Sequence, residues 1–198
     1  MIKIARSGTD EWYLARRRGI SATTVAKAST PAGYKQMLEE MSNPVEIPDN
    51  AYMKFGRDME EWIVASIPAK YMIEHNDWLV AKDTPGDEWQ LATPDGLTRS
   101  NIAIAEVKTT GKDWGSWSAV PIQYKRQVQW QLHVTGAQVC VFAYLLRLET
   151  ADGFQPAWYE PKVFEVVRDE KMIAELIQVA QKLQQELIYR EDTTNGEF

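Results

Sequence analysis

The sequence predicts one mixed α/β (α+β) domain, a central mixed sheet flanked by helices. Three observations carry that expectation. Alternating or β-branched apolar runs, clearest at 102–109 and 138–146, have the period of strands. Amphipathic stretches at 121–135 and 169–189 have the period of helices. The two kinds of element interleave along 198 residues, a length that supports one full core. A single domain over 1–198 is therefore expected, with a polar tail at 191–198 that frays.

Bulk properties narrow the function. Hydrophobic residues make up 44% and charged residues 25%, which is ordinary for a globular chain. The longest apolar run, 139–146, is too short to cross a bilayer. The N-terminal stretch has no apolar run of the secretory kind, so a cytoplasmic location and no membrane partner are expected. The single cysteine, Cys140, excludes an internal disulfide framework and any multi-cysteine zinc or iron–sulfur site. Its apolar neighbours predict a buried, inert thiol. A net charge of −6 counts against a generic nucleic-acid binder. It is compatible with a nuclease that gathers its few basic residues on one face and neutralises its site carboxylates with a metal.

In chain order, residues 9–18 predict a helix with Trp12, Leu14 and Ala15 on its apolar face. Arg16, Arg17 and Arg18 close it. Cations there favour the helix dipole, but arginine forks also match phosphate. The turn 19–22 leads into a short helix at 23–28. Ser21 and Thr23 are either helix caps or part of an anion site. Residues 29–50, with Pro31, Gly33, Pro44 and Pro48, predict loop or short helix. A long helix follows at 50–67, capped by Asn50 and stopped by Pro68, with Met53, Met59, Ile63 and Ile67 inward. Gly56 within it suggests a close backbone approach, and Glu60 lies one turn on. Strands are expected near 71–74, 78–81 and 89–93. The loop 111–118 holds Trp114 and Trp117, which suit packing on the sheet or stacking on bases. The helix at 121–135 puts Tyr124, Gln127 and Gln131 on one stripe. His133 reads as structural, and no serine-based triad is supported. Strands at 138–146 and 157–167, the latter interrupted at Pro161, precede the last helix.

The chemistry concentrates in ATPDGLTRSNIAIAEVKTT, residues 92–110. Pro94-Asp95-Gly96 makes a turn. In the strand that follows, Glu106 and Lys108 share one face and Val107 points to the core. If the flanking strands pair, Asp95 meets Glu106. Two hard carboxylates beside an ammonium suit Mg2+, although an aspartate turn and a solvated Glu–Lys pair explain the same residues. The absence of a cysteine or histidine set favours Mg2+ or Mn2+ over Zn2+.

Five short blocks occur in a fixed order: ARRRGISATTV, FGRDMEEWI, TPDG, AEVKT and RQVQWQLHVTG. On these the chain resembles the lambda exonuclease family, the YqaJ-type viral recombinases of the PD-(D/E)XK nuclease superfamily, over roughly residues 6–182. The resemblance implies a PD-(D/E)XK core and a Mg2+-dependent 5′→3′ exonuclease acting on the ends of linear double-stranded DNA. It implies Asp95 and Glu106 as metal ligands, with the backbone carbonyl of Val107 as a third and Glu60 supporting the site. Lys108 would position or activate the attacking water, and Gln127 would orient Lys108 or the nucleophile. Arg16, with Ser21 or Thr23, would hold the 5′-phosphate. The triple arginine leaves that ligand open among Arg16, Arg17 and Arg18, and Thr23 stands where serine is usual. A ring-shaped homotrimer and a single-strand annealing partner are also implied. The alternatives are another nuclease of the superfamily, RecB-like or endonucleolytic, and a non-catalytic DNA-end-binding module.

Overall fold

The computed structural model describes residues 1–44 and 48–195, with only the backbone of 191–195. Its first strand, β1 (Ile2–Arg6), was not expected from the sequence. Then come α1 (Asp10–Arg18), α2 (Ala22–Ala28), α3 (Pro31–Ser42) and α4 (Ala51–Ala65). Strands β2 (Glu74–His75), β3 (Trp78–Ala81), β4 (Leu91–Ala92), β5 (Gly96–Leu97) and β6 (Ala103–Thr110) follow. The chain ends with α5 (Ile122–Thr135), β7 (Val139–Thr150), β8 (Gly153–Pro156), β9 (Lys162–Val167) and α6 (Glu170–Asn195).

Capping chemistry sets several boundaries. Thr9, Ser21, Thr30 and Asn50 each accept a backbone N–H at a helix start. Pro31 stands in the first turn of α3, where its missing N–H costs nothing. Of the two readings for 29–50, loop or short helix, a twelve-residue helix forms over Pro31–Ser42; residues 45–47 lie outside the described residues. The last helix runs on through the expected tail to Asn195, and 196–198 lie outside the described residues. The strand expected at 71–74 is a 3-10 turn, Ala69–Tyr71, followed by the two-residue β2. The one expected at 157–167 shortens to β9, and β8 forms before it.

The main sheet has the order β2-β5-β6-β7-β8, with β9 also on β7. Only β6 and β7 are parallel, joined by the α5 crossover. A second sheet, β1-β3-β4, lies beside it. The alternation of β6 divides its side chains between two layers. Ile104 faces α5, packing with Val128 and Leu132. Ala105 and Val107 face α4, packing with Ile63, Val64 and Ile67. Glu106 and Lys108 have the parity of Ile104, so they look toward α5. Ile102 lies outside the strand and is 60% exposed. Leu14 and Met53, expected inward, are exposed as well: on α4 Ile63 and Val64 take the core, and α1 only rests Trp12 and Ala15, partly buried, on a small cluster. Gly96 is required: a Cβ there would come within 2.5 Å of Ile73 Cγ2. Gly56 is not, since a Cβ there would meet only Thr109 Oγ1 at 3.6 Å.

Candidate active site

Strand pairing brings the central residues together. Gly96 opposes Ala105 and Leu97 opposes Ile104, so the register carries Asp95 to Glu106. Asp95 N–H donates to Ala105 O at 3.0 Å, and its Oδ2 accepts Val107 N–H at 2.7 Å. Glu106 is 1% exposed, yet three side-chain donors serve it. Lys108 and Gln127 donate to Oε1, the amide at 2.6 Å, and Gln131 donates to Oε2 at 2.6 Å. Burying a carboxylate without such partners would be costly. Gln127 thus reaches Lys108 only through the carboxylate they share.

Lys108 Nζ also donates to the Val107 carbonyl at 3.1 Å. The ammonium therefore lies between two oxygen groups of different chemistry, a carboxylate and a peptide carbonyl. Its stem passes near Tyr124, with Nζ 5.5 Å from the ring centroid. Burial alone would lower the lysine pKa. The charges of Glu106 and Asp95 outweigh it and hold the group protonated. Asp95 is pushed well above the usual carboxylate range, first by burial and then by the charge of Glu106, with Glu60 adding to it. Glu60 reaches this point from α4 and pairs with His75 on β2 at 3.2 Å. Asp95 and Glu106 thus share one ammonium while Glu60 adds negative charge near Asp95, and a further cation would relieve that crowding. Among the described residues, no three histidine, cysteine, aspartate or glutamate side chains close on one point as they stand.

The second group of predicted residues lies on α1 and α2. Arg16 is half-buried over the ring of Trp12, its guanidinium carbon 4.5 Å from the centroid. It makes no hydrogen bond or ion pair with the described residues, and burial lowers its pKa. Arg17 and Arg18 are exposed. Ser21 is buried and caps α2 through Thr24. Thr23 is exposed on the first turn. The two groups are tied through the turn between α1 and α2: Ile20 N–H donates to Trp89 O, and Leu91 N–H donates to Ile20 O. Asp95 follows Leu91 by four residues, at most about 14 Å of chain.

Gln131 and His75 were not given roles from the sequence. Gln131 lay on the right helical stripe, but nothing there revealed that Glu106 would face it. His75 sits in a two-residue strand with no periodic signal. Trp114 and Trp117 pack against Phe142 and its neighbours, the sheet reading of the two considered. His133 is structural, within 2.7 Å of Gln90 Oε1, and Cys140 is buried.

A sequence model of the YqaJ-like viral recombinase domain matches residues 11–138, well over half of the chain. The chain belongs to this family. The YqaJ-like segment spans both groups of residues, from Arg16 to Gln131. No curated protein sequence matches the chain. Among solved structures, it is similar to LHK-Exo in complex with dAMP, with a TM-score of 0.69 and 23% identity over 94% of this chain and 98% of that one. The structure of LHK-Exo described as an alkaline exonuclease from Laribacter hongkongensis gives 0.68 and 22% over the same shares. A phage-related exonuclease from Haemophilus somnus gives 0.62 and 15%, over 87% of this chain and 96% of that one. At these identities the likeness establishes a shared mixed α/β fold for the YqaJ-like chain. Among the described residues, no helix is long and apolar enough to cross a membrane.

Proposed function

We propose that the chain is a Mg2+-dependent nuclease of the PD-(D/E)XK type, a 5′→3′ exonuclease that degrades one strand of linear double-stranded DNA and leaves a 3′ overhang. The observation that carries this reading is the meeting of Asp95, Glu106 and Lys108 on paired strands of a YqaJ-like chain. The donors fit a hard divalent ion: carboxylate and carbonyl oxygens, no thiolate, and an excess of negative charge. Asp95, Glu106, the Val107 carbonyl and Glu60 would hold Mg2+, and Mn2+ would substitute. Such an ion polarises a phosphoryl oxygen and makes a bound water more acidic.

The protein's own groups do the rest. Lys108, kept protonated by its neighbours, places a positive charge beside the attacked phosphate and orients the water. Gln127 and Gln131 fix the plane of the Glu106 carboxylate. Arg16 is the best of the three arginines for the 5′-phosphate, because it is withdrawn from water and lacks a counter-charge. Thr23 offers a free hydroxyl nearby, whereas the Ser21 oxygen is engaged at its helix cap. A ring of three chains would let an acidic protein line only an inner channel with basic residues, and the overhang suits a single-strand annealing partner.

The test is a nuclease assay with Mg2+ on linear duplexes bearing 5′-phosphate or 5′-hydroxyl ends and on a covalently closed circle. Rapid loss of the phosphorylated duplex, slower loss of the hydroxyl duplex and an intact circle are expected. A cut circle would establish an endonuclease instead. No cleavage with Mg2+ or Mn2+ by folded protein would leave a DNA-end-binding module.

A further inference from the structure

We propose that His75 is a positioning residue that holds the Glu60 carboxylate toward Asp95, so that a helix-borne and a strand-borne acid act on one cation. The inference rests on the metal-centre reading above and adds a residue to it. Glu60 is the one acid of the cluster that does not come from the β5–β6 pair. It projects from α4, where nothing in its own helix fixes its side chain. Its one hydrogen-bond partner among the described residues is His75 Nε2, 3.2 Å from Oε1.

His75 itself is held with care. On β2 it lies opposite Gly96, the residue after Asp95. The next residue, Asn76, donates its backbone N–H to Asp95 O at 2.9 Å and its side-chain amide to Pro94 O at 2.7 Å. The same amide reaches Trp78 O at 3.0 Å. β2 is thus fastened to the peptide that carries Asp95. The missing side chain at Gly96 lets it close up: a Cβ there would also stand 3.2 Å from Glu74 O. The strand that carries His75 is therefore bonded to the Asp95 peptide, and the imidazole links it to Glu60 on α4. An ion pair that served only the surface would have no need of this fastening. The ring is half-exposed and belongs to none of the hydrophobic clusters, so folding does not depend on it.

The chemistry predicts which substitutions matter. His75→Ala leaves Glu60 without its partner. His75→Gln keeps an amide donor at similar reach but removes the imidazole. Outer residues that orient a metal ligand typically contribute ten- to a hundredfold to metal affinity. The experiment is calorimetric titration of the DNA-free protein with Mn2+, for wild type and both variants, with melting curves confirming folded protein. His75→Ala is expected to weaken Mn2+ binding by about tenfold or more, and His75→Gln to recover most of the loss. Unchanged binding by His75→Ala would overturn the proposal. Equal loss in both variants would overturn it too, since it would make the imidazole a direct ligand. If wild type binds no Mn2+, the metal-centre reading falls and takes this inference with it.

Discussion

Glu106 and Arg16 are both charged groups drawn back from water, and the molecule treats them in opposite ways. Glu106 is met by Lys108, Gln127 and Gln131, so that both carboxylate oxygens are occupied. Arg16 rests on the face of Trp12 and meets no acid. Trp12 Nε1 is buried and unpartnered as well. The first arrangement draws these hydrogen-bond partners from within the chain. The second is left short of an acceptor, which is the condition of a site that takes its counter-charge from a ligand. The proposed catalytic group and the proposed phosphate grip thus rest on different electrostatic plans.

The largest test of that contrast is Lys108→Ala. It should slow cleavage of linear duplex by roughly a hundred- to ten-thousandfold, with DNA binding by fluorescence anisotropy close to wild type. Retained cleavage would remove Lys108 from the mechanism.

The self-satisfied side extends along α5 to His133. Its pKa is lowered to about 4, first by burial and then by Lys82 and Arg168. The unfolded chain takes up this proton near its ordinary value, about 6.5, and the folded chain only at lower pH. The stability from neutral His133 is therefore complete above the unfolded value and is lost as pH falls through the window between them. The loss is at most about 3 kcal/mol, and solvent screening of the partly buried ring reduces it. Urea denaturation across that window should show the decline, and His133→Gln should flatten it. An unchanged slope in the variant would assign the decline to other groups.

Gln131→Leu comes next. It strips the donor from Glu106 Oε2 and should cost about 1–3 kcal/mol of stability, read as a lower urea midpoint. No change would mean that the carboxylate is less dependent on its shell than the hydrogen bonds suggest.

The smallest effect belongs to the unsatisfied side. Arg16→Ala should slow digestion of 5′-phosphorylated duplex by about tenfold and leave the melting temperature and the 5′-hydroxyl rate nearly unchanged. Arg17→Ala should do neither. Equal losses from the two variants would dissolve the distinction drawn between them.

The strand-borne part of the site was legible because period-two alternation fixes which side chains share a face. From residues 102–109 alone, Glu106 and Lys108 fall together, and the turn at Asp95 brings the third group round. Tertiary partners were harder to read. Gln131 lay on the correct stripe, but the crossover angle of α5 decides which stripe meets the sheet. His75 carries no pattern because a two-residue strand has none. β1 was missed because its partner is β3, more than seventy residues away. The prolines of 29–50 leave loop and short helix open, and Pro31 at the first turn of α3, with Thr30 as cap, decides for the helix. Leu14 and Met53 show that an apolar residue on a helix need not belong to its buried stripe.

The distances along the chain also bear on the order of assembly. Asp95, Glu106, Lys108, Gln127 and Gln131 all lie within one hairpin and one crossover, so their contacts close short loops. The N-terminal strand must find β3 across more than seventy residues, a slower and costlier closure. The acid cluster should therefore take shape before the N-terminal strand docks. Pulse-labelled refolding should protect the Val107 amide, bonded to Asp95, ahead of the Ser7 amide, bonded to Asp77 O.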